Sequence, residues 1–280
     1  MNEVLIIGSR GMLGRAWVQL LKSKGISFAT LDRPQVDLER PQTLFGAIDA
    51  KYRYIINCAA WTAVDAAEEH ENEATLVNGH SVGVLGEICL RQGAKLVQYS
   101  TDYVFDGKAT SPYPIDHPRS PVNAYGRSKA VGEELLEVSE ADYLIVRTSW
   151  LYAAWGQNFV RTMAKLTSER STVSVVDDQR GRPSYCAHVA QMTWELLRKN
   201  ASGIYHVTDG GDCTWFDFAR EIGEFSNPEC EVKPCATKDF PRPAPRPQYS
   251  VLAIDSTEQI VGAFPAWQQN LSIVMEELER

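Results

Sequence analysis

Apolar residues in the first half of the chain come in short unbroken runs separated by longer stretches of mixed pattern. VLIIG at residues 4–8 is one such run; FATLD (28–32), YIINCAA (54–60), KLVQYSTDY (95–103) and YLIVRTSWLY (143–152) repeat the form. Runs of this kind suit strands of a parallel sheet that is covered on both faces. Between them the chain reads as helix over 12–24, 42–51 and 72–92, and again around Tyr125. For that last helix Ser120 suits an N-cap and Pro121 the first helical position. Strands alternating with helices predict βαβ units and an α/β, doubly wound parallel sheet, with ligands beyond the carboxyl ends of its strands.

The pattern changes after about residue 155. Helices are expected at 158–170, 185–199 and 214–225, interleaved with strands TVSVVD (172–177) and GIYHVT (203–208). The stretch 228–247 is rich in proline, with FPRPAPRP at 240–247, and cannot be regular throughout; a last helix is expected near 266–279. The division that follows is a dinucleotide-binding, Rossmann-like domain over 1–155 and a smaller C-terminal α/β substrate-binding domain over 156–280, some segments of which can return to the first.

GSRGMLG places Gly8, Gly11 and Gly14 between the first strand and the first helix. Glycines there let the backbone turn tightly against a pyrophosphate, while the helix N-terminus offers N–H donors and a positive dipole end. At the end of the second strand stand Asp32 and Arg33. An acid favours the ribose hydroxyls of NAD and an arginine the 2′-phosphate of NADP, so NADPH and NADH both stay open. Asp37 and Leu38 fall where an adenine edge could be held.

The helix after the fourth strand carries Tyr125 and Lys129 in SPVNAYGRSK. Positions i and i+4 share a helix face, with Cβ atoms about 5–6 Å apart. A phenol titrates near 10, and an adjacent ammonium favours the phenolate, so the spacing predicts a tuned general acid. Ser100 and Thr101 sit at the end of the fourth strand, and Thr101 precedes Tyr125 by 24 residues, enough for a loop and a helix start. Glycine loop, strand-end hydroxyl and Tyr-x-x-x-Lys in that order describe an extended short-chain dehydrogenase/reductase.

Composition narrows the partners. Apolar residues make up 44% of 280 and charged residues 23%, ordinary for a globular protein. A net charge of −8 argues against a nucleic-acid partner, which needs a basic face. The six cysteines show no CxxC pair and no zinc spacing; Cys58 and Cys89 are expected in the core. The N-terminus has no basic leader region, and no apolar run approaches the ~18 residues of a membrane span, so a cytoplasmic protein is expected.

Beyond these motifs, NCAAWTAVDAAE (57–68), STDYVFDG (100–107), NAYGRSKAVGE (123–133), RTSWLY (147–152), NFV (158–160) and DQRGRPS (178–184) resemble the dTDP-4-dehydrorhamnose reductases over essentially the whole chain. The resemblance implies a catalytic trio of Thr101, Tyr125 and Lys129. It implies that Met12 and Leu13 beside Gly11, then Asp32, Asp37, Leu38, Ala60, Trp61 and Thr62, line the cofactor, and that Lys129 also holds the nicotinamide ribose. Thr101, Asp102 and Trp150 would touch the sugar nucleotide, with Tyr103 and Asn158 nearby. The implied reaction is reduction of the C4 ketone of dTDP-4-dehydro-L-rhamnose by NAD(P)H. Some members carry a glutamate two residues after the third glycine, used in a magnesium-bridged dimer; here Ala16 stands there, next to Arg15, so no metal is expected and a homodimer is left open.

Other residues carry weaker signals. Arg182 in GRPS could pair a substrate diphosphate, as could Arg242 and Arg246. His188 and His206 lie in regular elements and are expected to be structural, and AAEEHENE (66–73) reads as a solvated acidic helix start. Two alternatives share the scaffold. Sugar-nucleotide dehydratases place a glutamate where this chain has Tyr103, and epimerases retain their cofactor through a full cycle. The regulatory subunit of methionine adenosyltransferase looks similar and binds NADP without turnover.

Overall fold

A computed structural model describes residues 3–279; Met1 and Asn2, where the leader reading begins, and Arg280 lie outside them. The first half runs β1 (Val4–Ile7), α1 (Met12–Ser23), β2 (Phe28–Leu31), α2 (Leu44–Ala47), β3 (Tyr54–Asn57), α3 (Val64–Ala67), α4 (Glu71–Thr75), α5 (Ser81–Gln92), β4 (Lys95–Thr101), α6 (Ala124–Glu137) and β5 (Asp142–Thr148). It continues with β6 (Leu151–Tyr152), α7 (Phe159–Glu169), β7 (Thr172–Val176), β8 (Arg180–Gly181), β9 (Ser184–Tyr185), α8 (Cys186–Arg198) and β10 (Gly203–His206). The chain ends with β11 (Cys213–Thr214), α9 (Trp215–Ser226), β12 (Glu231–Cys235), α10 (Asp255–Val261) and α11 (Trp267–Leu278).

The described residues form a six-stranded sheet in the order β10-β5-β4-β3-β1-β2, every pair parallel. Successive residues of β1 point to opposite faces. Val4 and Ile6 join Trp17, Leu21 and Trp194 in one core, while Leu5 and Ile7 join Leu85 and Ile88 in the other. The strand order reverses between β1 and β3, the switch point where an open α/β sheet leaves a crevice. A third core, around Tyr152, Phe218, Ile222 and Leu271, belongs to the elements after β5.

Several expected elements come out differently. Gly203–His206, read as a strand of the smaller domain, pairs with β5 at the edge of the main sheet. The expected helix over 42–51 shrinks to a 3-10 turn and four α-helical residues that include the weak helix former Gly46, and it stops where Ile48 leaves the helical region at φ −110°. The long helix over 72–92 is broken by a π turn at Leu76–His80, which frees Asn78 to bond outside the helix. The fifth strand stops at Thr148 because Trp150 takes a left-handed backbone, φ 47°. Asn123, rather than Ser120, caps α6: its side chain accepts the Gly126 N–H at 2.8 Å. Within the proline-rich stretch Glu231–Cys235 pairs in parallel with Thr172–Val176.

Candidate active site and cofactor pocket

A cavity of about 760 Å³ opens at the switch point. Gly8, Gly11, Met12 and Leu13 line it from the β1–α1 turn, Asp32 and Arg33 from the end of β2, and Ala60, Trp61 and Thr62 from the loop after β3. Leu38 closes one side, and Ser100, Tyr125, Lys129 and Thr148 form the far end. The glycines are needed for close approach. Gly8 has φ +81°, and a Cβ on it would stand 2.7 Å from the Ala59 nitrogen; one on Gly14 would stand 2.1 Å from the Gly8 carbonyl oxygen. Gly14 therefore packs behind the loop instead of lining the pocket. At Gly11, the N-cap of α1, no side chain caps the helix, so its first N–H groups face the cavity mouth.

Asp32 is held at the rim by two donors. Its carboxylate accepts from Ser9 Oγ at 2.5 Å and from the Arg10 N–H at 3.2 Å. Arg33 reaches Glu39 at 2.5 Å. Asp37 does not line the cavity: its carboxylate accepts the Glu39 N–H at 3.1 Å and lies within 3.6 Å of Arg40. Cys58, expected in the core, is partly buried and forms part of the cavity wall; Cys89 is buried.

At the far end α6 presents Tyr125 and Lys129 toward the ends of β4 and β5. Lys129 is 4% exposed, and its Nζ donates to the Tyr99 carbonyl at 2.6 Å. Burial pulls this ammonium down to about 8, against the pull of the Glu133 carboxylate. The Tyr125 phenol is pushed above its ordinary value, first by burial and then by the Asp102 carboxylate, while the Thr101 hydroxyl pulls it back. The downward pull expected from Lys129 does not appear: the phenol is raised, Thr101 is the group that lowers it, and the Lys129 ammonium is turned to the Tyr99 carbonyl. Thr101 donates to Asp102 Oδ1 at 2.9 Å and accepts the Tyr103 N–H at 3.2 Å, which turns the chain out of β4. Burial raises Asp102 to about 6. The Tyr103 ring meets Tyr125 edge-on, centroids 6.1 Å apart.

The remaining sequence candidates are not among the residues that line the cavity. Trp150 stacks on Trp215 with centroids 3.6 Å apart and planes 13° from parallel. Arg182 donates to the Gly211 carbonyl at 3.2 Å, and its Nε is buried with no protein partner. Asn158 plays a structural part, since it caps α7 through the Arg161 N–H and donates to the Ala153 carbonyl at 2.8 Å. Arg246 is paired with Asp65 at 2.9 Å. His188 bonds Asp209 at 2.8 Å and His206 bonds the Ala253 carbonyl at 2.9 Å, both structural. The acidic run is not simply solvated, because Glu68 accepts the Ala124 N–H and Glu71 grips Arg127 with two bonds of 2.7 and 2.8 Å, fixing the start of α6.

Residues with no motif of their own also shape the site. Asn78, in the π turn, accepts the Trp61 N–H at 2.9 Å and donates to the Trp61 carbonyl and to Ser128 Oγ, tying the loop after β3 to α6. Trp155 donates to the Met12 carbonyl at 3.0 Å, and Gly156 approaches so closely that a Cβ would stand 2.5 Å from Met12 Cγ. A polar residue between Val77 and Gly79 in an apolar helix pattern is the one signal the chain offers for Asn78.

The residues fit a dinucleotide. The glycine turn has no room for side chains behind it, and Thr148 Oγ1 is buried, lacks a protein partner and belongs to a cavity-lining residue. Among the described residues no group of three His, Cys, Asp or Glu side chains could hold a metal, and no helix is long and apolar enough to cross a membrane. Ala16 is buried beside Trp17 in the core.

The family profile described as RmlD substrate binding domain matches residues 1–280. A dTDP-4-dehydrorhamnose reductase of Burkholderia thailandensis is 38% identical over 99% of both chains. A dTDP-4-keto-6-deoxy-D-glucose reductase of Streptomyces niveus is 39% identical over 90% of this chain and 88% of its own. Among solved structures, the dTDP-4-dehydrorhamnose reductase of Bacillus anthracis in complex with NADP superposes with a TM-score of 0.94 at 36% identity, over 99% of this chain and all of that one. With the glycine-loop pocket and the Thr–Tyr–Lys edge in place, these likenesses assign the chain to the dTDP-4-dehydrorhamnose reductase family of NADP-dependent oxidoreductases.

Proposed function

We propose that this protein reduces the C4 ketone of a dTDP-4-dehydro-6-deoxyhexose, dTDP-4-dehydro-L-rhamnose in the first place, with NADPH or NADH as reductant. The observation that carries the reading is Tyr125 at the far end of the glycine-loop cavity, with Thr101 against its phenol and Lys129 one turn further along α6. The names of the similar reductases support the substrate.

The cofactor supplies the hydride when bound. The Gly8–Gly14 turn and the N-terminus of α1 would hold its diphosphate, Asp32, Arg33 and Leu38 its adenosine end, and Ala60, Trp61 and Thr62 the span between. Tyr125 gives its proton to the oxygen that becomes the alcohol, and Thr101 hydrogen-bonds that oxygen as charge develops. Burial raises the phenol's pKa, so at neutral pH the proton is in place to be given. Lys129 places a positive charge beside the reacting groups. Asp102, Tyr103, Trp150 and Arg182 would receive the sugar nucleotide, with Asn158 holding the adjoining loop. Sugar nucleotides and nicotinamide cofactors are cytoplasmic solutes, so the reading places the protein in the cytoplasm.

The test is to supply dTDP-4-dehydro-L-rhamnose with NADPH or NADH and follow nicotinamide absorbance. Stoichiometric oxidation is the expected result. A cofactor retained through purification, with interconversion of sugars but no net oxidation, would replace this reading by an epimerase.

A further inference from the structure

One buried charge near the site has no part in the reaction as derived. Glu133 follows Lys129 by one turn, so Tyr125, Lys129 and Glu133 stand at i, i+4 and i+8 of α6. Glu133 is 1% exposed. Arg147 of β5 donates to both of its oxygens, at 2.9 and 2.7 Å, and Arg119 donates to Oε2 at 3.1 Å. Arg147 is itself 1% exposed and pairs in register with Ser100 of β4; the next pair in that ladder is Thr101 with Thr148. The carboxylate therefore ties the helix carrying the phenol and ammonium to the two strand ends carrying the hydroxyls.

We infer that Glu133 is the positioning residue of the Tyr125–Lys129 pair, acting through Arg147 to seat α6 on β4 and β5 and supplying the negative charge beside the buried ammonium. The inference rests on the reading of Tyr125 and Lys129 given above. Burying a carboxylate between arginines is a poor way to gain stability, since apolar replacements of a buried ion pair are often neutral or better. A bidentate pair does fix orientation, and displacing a reacting group by 1 Å can cost about 100-fold in rate. The charged groups that face Glu133 are Arg147 from β5, Arg119 from the loop before α6 and Lys129 on its own helix, with the hydroxyl of Ser100 from β4. His206 of β10 lies beyond Arg147, 3.5 Å from Nη1. Burial pushes His206 down to about 3, leaving it neutral at working pH. Without Glu133 the three cations face one another, balanced by Glu137, which Arg119 holds at 2.8 Å, and by the exposed Glu134, 3.8 Å from Arg119.

Two variants separate charge from reach. Glu133→Gln keeps the shape and removes the charge; Glu133→Asp keeps the charge and shortens the arm. In Glu133→Gln, kcat should fall about 10- to 100-fold with little change in KM, and the basic limb of the kcat–pH profile should move to lower pH. In Glu133→Asp, kcat should fall with that limb unmoved. Rates are taken per folded protein, from thermal melts of the same samples. Wild-type kcat and limb in a folded Glu133→Gln overturn the inference, as does a loss of rate with the limb in place, which marks a merely structural role. Should Glu133→Gln not fold, wild-type kcat in Glu133→Asp, or a loss shared equally by kcat and KM, overturns the inference, and reduced kcat at unchanged KM upholds it. Tyr125→Phe runs alongside: wild-type turnover there sinks the underlying reading, whatever Glu133 does.

Discussion

The Asp32 carboxylate accepts the Ser9 hydroxyl at 2.5 Å and the Arg10 backbone N–H at 3.2 Å, while the Arg10 and Arg33 side chains beside it are largely exposed. The acid is held in place by the glycine turn itself, and two largely exposed cations stand at the same rim, Arg10 3.9 Å from Asp32 and Arg33 paired with Glu39. Both a ribose diol and a 2′-phosphate therefore find a partner there. Asp32→Asn should weaken NADH binding more than NADPH binding. Arg10→Ala combined with Arg33→Ala should weaken NADPH by about 10- to 100-fold, the worth of one or two charge-assisted bonds. Dissociation constants from calorimetry, without substrate, check both; equal losses for the two cofactors would remove Asp32 and the arginines as discriminators.

In the proposed reaction Lys129 predicts a pH dependence. Its folded pKa lies at about 8, below the ordinary lysine value, because burial penalises the ammonium. The charge is present below that value and lost as pH rises through it, so kcat should decline on the basic side around pH 8. Lys129→Arg keeps its charge across the range, and its residual activity should show no such limb. A persisting limb near pH 8 in the arginine variant would assign it to another group.

Asn78→Ala removes three hydrogen bonds from a buried position. Leaving the Trp61 backbone and Ser128 without those partners should cost about 1–3 kcal/mol, or several degrees in Tm for a chain this long. Because Trp61 lines the cavity, cofactor affinity should fall as well. Unchanged melting and unchanged affinity would reduce the π turn to an incidental irregularity.

The glycines should separate by position. A Cβ at Gly14 would stand 2.1 Å from the Gly8 oxygen, whereas at Gly11 the nearest atom is that oxygen at 3.5 Å, with φ −69°. Gly14→Ala should destabilise the fold and displace the turn. Gly11→Ala should melt like the parent and lose only cofactor affinity, its methyl standing at the cavity mouth. Melting curves and cofactor titrations of the two variants distinguish the effects.

Where a residue's role is local, the chain announces it. The unbroken apolar runs place the first four strands to within a few residues of their observed bounds, apart from overrun at the carboxyl ends, because a strand buried on both faces excludes polar side chains. Gly8 and Gly11 are legible because a turn at a helix N-terminus leaves few alternatives to glycine, and Tyr125 and Lys129 because helical spacing puts them on one face. Signals are weakest where caps and breaks compete over short distances: Ser120 and Asn123 both suit an N-cap, and only the Gly126 N–H chooses between them.

What lies beyond the pattern are relationships made by distant segments. That Gly203–His206 joins the main sheet follows from space at the edge of β5, not from its own four residues. Arg246 reads as a free cation until the proline-rich segment folds back and sets it against Asp65, 181 residues away in sequence. The balance at Tyr125 is hidden for the same reason: the i+4 ammonium is visible in the chain, but the depth of burial and the Asp102 carboxylate that raise the phenol arise only when β4 and α6 pack. Spacing along one helix is geometry the backbone carries alone, whereas desolvation depends on every element that closes over the group, and no single segment contains it.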